Sequence, residues 1–115
     1  MIPGVKGEKL VMALARNRRI KDGEVLGTGY YNSWVHLKCE VIAPRCMFTW
    51  NMKEGEIINA PVAHGEGRFT TEIPGLMQML PEKGQLPFRY CTREGVIIDE
   101  FPVNPNGAQY NTAAI

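Results

Sequence analysis

What the sequence lacks narrows the field first. Its longest apolar run is Leu10 to Ala15, far short of the ~20 residues a helix needs to cross a bilayer. Neither charge sign dominates: the net charge is +1 at pH 7, so no overall field draws in nucleic acid or a membrane surface. Cysteine is sparse. Cys39, Cys46 and Cys91 are odd in number and show no CxxC spacing, which argues against a disulfide framework and against a zinc site. Reduced thiols in a cytoplasmic protein are the simplest expectation. No phosphate loop, dinucleotide fingerprint or calcium-loop spacing occurs, and no cofactor or metal is expected. Met1-Ile2-Pro3-Gly4 has neither the charged start nor the long apolar stretch of a secretory signal. No internal repeat or low-complexity tract is present.

What remains is an ordinary globular composition, 44% hydrophobic and 22% charged over 115 residues. That length fits a single domain, which buries roughly two thirds of its unfolded surface. From Glu8 to Arg18, Leu10, Val11, Leu14 and Ala15 recur at helical spacing behind Gly7, which predicts a short helix. Arg16, Arg18, Arg19 and Lys21 then form a basic cluster. It reads either as a solvated helix end, where cations complement the dipole, or as a phosphate or partner contact. Gly23 to Asn32 holds three glycines and reads as a loop. Ser33 to Val41 alternates with period two, placing Val35, Leu37, Cys39 and Val41 on one face and Trp34, His36, Lys38 and Glu40 on the other. Ala43-Pro44 should end this strand.

Further on, Cys46 to Trp50 is a short apolar segment, read as a second strand. Glu56 to Ala63 reads as a more buried strand. Pro61 cannot donate to a ladder, so that strand lies at an edge or is locally broken. Ile73, Leu76, Met77 and Leu80 follow helical spacing, with Pro74 suited to the first turn. Leu86 to Cys91 and Val96 to Phe101 are strand-like and joined by Thr92-Arg93-Glu94-Gly95, which predicts a hairpin. Pro102 to Gly107 must turn. Asn111 to Ile115 reads as a final strand, very short or cut off.

Two segments could carry chemistry. His64-Gly65-Glu66-Gly67 follows a core strand, and its glycines permit close approach of a ligand to main-chain groups. A loop at the end of a core strand is where α/β folds place ligands. The segment is therefore either a substrate loop gripping a small polar ligand through peptide groups, or a tight turn with His64 as a structural histidine. His64 and Glu66, two apart in extended chain, point the same way and form a conceivable acid/base pair. Triad chemistry would also need a nucleophile, and none of the three cysteines sits in a strand-to-helix elbow. Each reads as a small hydrophobe rather than an activated thiolate. Asn104-Pro105-Asn106-Gly107 is explained by turn chemistry alone, although its amides could also meet a ligand or partner.

Together these segments resemble a known family. Pro61-Val62-Ala63-His64-Gly65-Glu66-Gly67-Arg68-Phe69 resembles the corresponding segment of the phosphoribosylformylglycinamidine synthase amidotransferases. Phe88-Arg89-Tyr90 is similar to a strand of that family. Asn104-Pro105-Asn106-Gly107 with Asn111-Thr112-Ala113-Ala114-Ile115 is similar to its Asn-Pro-Asn-Gly stretch. Ile2-Pro3-Gly4, Arg16-Asn17 and Trp34-Val35-His36-Leu37 resemble further segments, in the family's order and spacing.

The resemblance implies an α/β fold: part of a flavodoxin-like class I glutamine amidotransferase domain with an antiparallel β extension. It implies the glutaminase subunit of phosphoribosylformylglycinamidine synthase, which uses Cys, His and Glu to release ammonia from glutamine for purine biosynthesis. The implied partners are glutamine, the synthetase subunit and a small accessory subunit, with no nucleic acid and no membrane. The family's nucleophile motif would precede Met1 and its catalytic His/Glu pair would follow Ile115. No catalytic residue is therefore expected within residues 1–115, and the chain alone is expected to be inactive. His64, Gly65, Glu66 and Gly67 are the expected glutamine-contacting residues, Gly65 foremost. Asn104, Asn106 and Gly107 are expected to be structural or to face the synthetase. Strands left without neighbours predict self-association. The alternative function is a stand-alone, non-catalytic binding or regulatory module on the same fold. A nucleic-acid-binding domain built on Arg16, Arg18, Arg19 and Lys21 is disfavoured by the near-neutral charge and the lack of stacking motifs.

Overall fold

Turn chemistry and period-two patterning build most of the chain. The structure, a computed structural model, describes residues 5–6, 9–41 and 46–115. Among them, ten short strands follow in chain order. They are β1 (Val5–Lys6), β2 (Lys9–Leu10), β3 (Ala13–Ala15), β4 (Arg18–Lys21), β5 (Glu24–Thr28), β6 (Tyr31–Cys39), β7 (Ile57–His64), β8 (Arg68–Thr70), β9 (Phe88–Cys91) and β10 (Thr112–Ala114). A single α-helix, α1 (Leu76–Glu82), separates β8 from β9, and one-turn 3-10 helices cover Met47–Thr49 and Gln109–Asn111. The largest sheet has the order β10-β9-β6-β7. The pairs β1–β2, β3–β8 and β4–β5 form three two-stranded ribbons. Every pairing is antiparallel. The observed domain is thus mixed and strand-rich, and the parallel sheet of a flavodoxin-like fold is not among these pairings.

The expected helix from Glu8 to Arg18 is replaced, over its described residues, by β2, β3 and the start of β4. Leu10 and Leu14, the core of the helical face, are 74% and 57% exposed, while Met12 is buried. Long-range pairing of Ala13–Ala15 with Arg68–Thr70 overrides the local periodicity. The Gly7 helix start and the Ala43-Pro44 strand stop lie outside the described residues. The loop expected at Gly23 to Asn32 is mostly strand. Asp22 and Gly23, with φ of 51° and 76°, make a two-residue hairpin turn with Lys21 opposite Glu24. Both central residues need positive φ, which an Asp-Gly pair tolerates.

β6 forms as expected, with Val35 and Cys39 buried and Trp34 exposed. Pro61 lies in β7, an edge strand, opposite Trp34. β7 is not a buried strand, however. Its residues alternate between half-buried and exposed over most of its length, because one face of the edge is open. Cys46 to Trp50 is a single 3-10 turn rather than a strand, anchored by the buried Thr49 hydroxyl donating to the Val41 carbonyl. The turn at Thr92–Gly95 exists, with Val96 N–H donating to Thr92 Oγ1 at 3.1 Å, but Val96 to Phe101 does not pair with β9. Both edges of β9 are already taken, by β6 and by β10. The final strand forms as β10.

Helix α1 starts later than predicted, because Gly75 at its N-cap is left-handed (φ 77°). Met77 and Leu80 point into a core with Met12 and Leu86. A second cluster joins Val35, Tyr90 and Ala108, and Phe69 of β8 packs against both. Leu86 is fully buried. Leu86→Ala should therefore cost about 2–5 kcal/mol, the range for removing a core leucine side chain. The urea midpoint should fall at unchanged m-value; an unchanged midpoint would refute this placement of the core.

Candidate functional site

The chain passes from β7 to β8, strands of different sheets, through the bend His64-Gly65-Glu66-Gly67. A crossing of this kind leaves peptide groups with no ladder partner, and they must be satisfied by side chains or water. Here one side chain does most of it. Asn17, between β3 and β4, is fully buried. Its Nδ2 donates to the His64 carbonyl at 2.6 Å and lies 3.1 Å from His64 Nδ1. Its Oδ1 accepts the Gly67 N–H at 2.9 Å. Its own N–H donates to the Gly65 carbonyl at 2.8 Å, and its carbonyl accepts from Gly29 N–H at 3.0 Å.

The Asn104 to Gly107 turn forms the other wall. Asn106 is fully buried. Its Nδ2 donates to the Gly67 carbonyl at 2.8 Å and approaches the Tyr90 hydroxyl at 3.4 Å, while its Oδ1 accepts from Ala108 N–H at 3.0 Å. Arg18 N–H donates to the Asn106 carbonyl at 3.0 Å. Asn104 closes its own turn: Nδ2 donates to Asp99 Oδ1 at 2.8 Å and to the Ala108 carbonyl at 2.9 Å, and Oδ1 accepts from Gly107 N–H at 3.0 Å. The side chains of Asn104 and Asn106 thus point inward, onto this chain's own backbone. Gly107 has φ 74°, and a Cβ there would lie 2.7 Å from the Arg18 carbonyl oxygen, so only glycine fits.

The two glycines of the bend differ. A Cβ at Gly67 would fall 2.3–2.7 Å from the His64 ring atoms, so Gly67 is the floor on which the imidazole lies. A Cβ at Gly65 would meet the Tyr30 backbone only at 3.6 Å, an ordinary contact, and the fold itself makes no demand for glycine there. No hydrogen bond among the described residues engages the N–H groups of Gly65 and Glu66 or the Glu66 carbonyl. The Glu66 side chain is exposed and makes no hydrogen bond to His64, so the two do not form the acid/base pair considered from sequence. A cleft of about 460 Å³ opens beside β8, where Met12, Arg68, Thr71 and Ile73 contribute to its lining; the bend residues do not.

Two of the three thiols, Cys39 and Cys91, are buried, and Cys46 is half-buried. Burial pushes Cys39 and Cys91 up from the usual cysteine range, which favours the inert protonated form. No group of His, Cys, Asp and Glu side chains among the described residues is arranged to hold a metal ion. No helix among them is long and apolar enough to cross a membrane. Asn17 is the residue that reading for functional groups passed over. Flanked by Arg16 and Arg18, it carries no local sign of burial, and only its five contacts with segments distant in sequence reveal its role.

The bend thus leaves the N–H groups of Gly65 and Glu66 without a partner among the described residues, within a mixed, strand-rich domain. Residues 27–115 match the CobB/CobQ-like glutamine amidotransferase domain, and the chain belongs to that family. It is 39% identical over 109 residues to phosphoribosylformylglycinamidine synthase subunit PurQ of Methanothrix thermoacetophila, covering 95% of this chain and 42% of that protein. The subunit PurQ proteins of Aquifex aeolicus (38% identity) and Pyrococcus furiosus (37%) each align over 82 residues, 71% of this chain and 34% and 32% of theirs. The chain therefore spans less than half the length of these relatives.

Tyr90, beneath the bend, gives the network a measurable pH response. Burial pushes its phenol up to about 12, opposed by the hydrogen bond from Asn106. The unfolded phenol loses its proton near pH ~10. Between these values the folded state holds more protons, so stability is complete below pH ~10 and falls as pH rises through about 12. The denaturation midpoint should drop across that window, and Tyr90→Phe should flatten the drop. Equal slopes in the two proteins would contradict it.

Proposed function

We propose that this chain forms the glutamine-holding part of a phosphoribosylformylglycinamidine synthase amidotransferase, with the bend at His64 to Gly67 as the substrate loop. The observation that carries the reading is the division of labour in the bend. Asn17 and Asn106 hold the carbonyls of His64 and Gly67 and the Gly67 N–H, which leaves the N–H groups of Gly65 and Glu66 for a ligand. Two adjacent N–H groups suit the carboxylate or amide oxygen of an amino acid, because such donors cost little to preorganise. Gly65 keeps a side chain out of the ligand's way where the fold has no need of glycine.

In this reading the cysteine nucleophile and its histidine base come from elsewhere in the intact protein. Among the described residues, Cys39 and Cys91 are buried and neither thiol is hydrogen-bonded to a histidine. The intact domain would add a flavodoxin-like parallel sheet. That sheet, the synthetase subunit or the small accessory subunit would cover apolar groups exposed here, such as Phe48 (87%) and Trp34 (67%). Without such cover the chain would self-associate. The ammonia released from glutamine would pass to the synthetase in the cytoplasm.

The test uses the intact amidotransferase carrying these residues. Gly65→Ala should raise KM for glutamine at least tenfold and leave the thermal midpoint within a degree or two, since a Cβ there makes only ordinary contact with the Tyr30 backbone. An unchanged KM would overturn the substrate-loop assignment. The 115-residue chain by itself should release no ammonia from glutamine, measured against a buffer blank.

A further inference from the structure

We infer that Asn17 locks His64 in the Nε2–H tautomer, making His64 a hydrogen-bond donor to an acceptor oxygen of the amino-acid ligand rather than a base. The inference rests on the substrate-loop reading for the identity of the ligand, but not for the tautomer.

The orientation of the Asn17 amide is fixed by partners that can act in only one sense. Gly67 N–H can only donate, so the atom 2.9 Å from it must be Oδ1. The His64 carbonyl can only accept, so the atom 2.6 Å from it must be Nδ2. The same Nδ2 carries a second hydrogen and lies 3.1 Å from His64 Nδ1. With a donor already aimed at it, Nδ1 must offer its lone pair, and the ring proton sits on Nε2. The opposite tautomer would set two N–H groups against each other, and the amide cannot flip to relieve this without breaking its bonds to both Gly67 and the His64 carbonyl. On one side the ring lies close against Gly67, whose missing side chain makes room for it.

Nε2 has no hydrogen-bond partner among the described residues, and the buried side-chain atom left unpaired among them is Arg19 Nη1. Nε2 is therefore not fully buried. A histidine held this way cannot use Nε2 to take a proton from a nucleophile, since Nε2 already carries one. It can donate to a carboxylate or amide oxygen beside the free N–H groups of Gly65 and Glu66. Asn17 thereby becomes a positioning residue: it sets the bend and also the polarity of the side chain that starts it.

The experiment exploits the presence of only two histidines, His36 and His64. Long-range proton–nitrogen correlation spectra of the nitrogen-15-labelled chain, assigned with a His36→Gln variant, report the tautomer of each ring. His64 should show the Nε2–H pattern. Asn17→Asp keeps an oxygen for Gly67 N–H but sets a second oxygen, which can only accept, beside Nδ1, and should place a proton on Nδ1, as the Nδ1–H tautomer or the doubly protonated ring. An Nδ1–H pattern in the wild type overturns the inference without reference to any variant. An unmoved pattern in a folded Asn17→Asp chain removes Asn17 as the cause. Adding millimolar L-glutamine should shift the His64 Nε2 resonance together with the Gly65 and Glu66 amides. If the amides move and Nε2 does not, the donor role is wrong. If none of them moves, the substrate-loop reading falls and the donor role with it, while the tautomer stands on the ligand-free spectrum.

Discussion

The side-chain amide of Asn17 is the constraint through which the architecture near the bend is tied together. It joins the stretch between β3 and β4 to the crossing from β7 to β8, and the backbone carbonyl of Asn17, accepting from Gly29 N–H, also fixes the approach to β6. Each such hydrogen bond is worth about 0.5–1.5 kcal/mol net. Leaving its buried partner unsatisfied costs about 1–3 kcal/mol. The penalty for breaking the arrangement is therefore larger than the gain from making it. A bend with two glycines would otherwise sample many conformations. Here the carbonyls of His64, Gly65 and Gly67 and the Gly67 N–H are held, and the freedom left is confined to the peptide groups of Glu66 and the N–H of Gly65.

Asparagine recurs as the fastener of this fold. Asn104 and Asn106 turn inward to hold their own turn and the Gly67 carbonyl, and Asn111, in a left-handed conformation, donates to the carbonyls of Tyr90 and Ile98. The short ribbons β3–β8 and β4–β5 are marginal as isolated pairs. They are joined to the main sheet by these buried amides and by Phe69, which packs against both apolar clusters. A small domain with limited apolar burial needs such polar joints, and a satisfied joint costs nothing in unpaired groups.

What could be read from the sequence followed the range of the interactions involved. β6 was legible because its alternation is local and one face is covered. Pro61 narrowed β7 to an edge strand or a broken one, and the Asn104 to Gly107 turn followed from its own composition. The Glu8 to Arg18 helix failed because the pairing of β3 with β8 joins residues 53 to 57 positions apart. The β4–β5 hairpin does carry a local signal, Asp22-Gly23, but Gly27 and Gly29 within and after β5 give the same stretch the composition of a loop. The Val96 to Phe101 strand failed because competition for the edges of β9 is settled by β10, near the end of the chain. The same holds for the site. The bend was visible in its glycines, whereas the residue that shapes it, Asn17, is 47 positions away from His64 and locally indistinguishable from a surface asparagine.

Amide hydrogen exchange, resolved by residue, measures the division of labour in the bend most directly. The Gly67 N–H, held by Asn17 Oδ1, should be protected, and the N–H groups of Gly65 and Glu66 should exchange near the rate of an unstructured chain. In Asn17→Ala the Gly67 protection should collapse to match its neighbours while β6 stays protected. A wild-type Gly67 amide exchanging as fast as Gly65 and Glu66 would contradict the account.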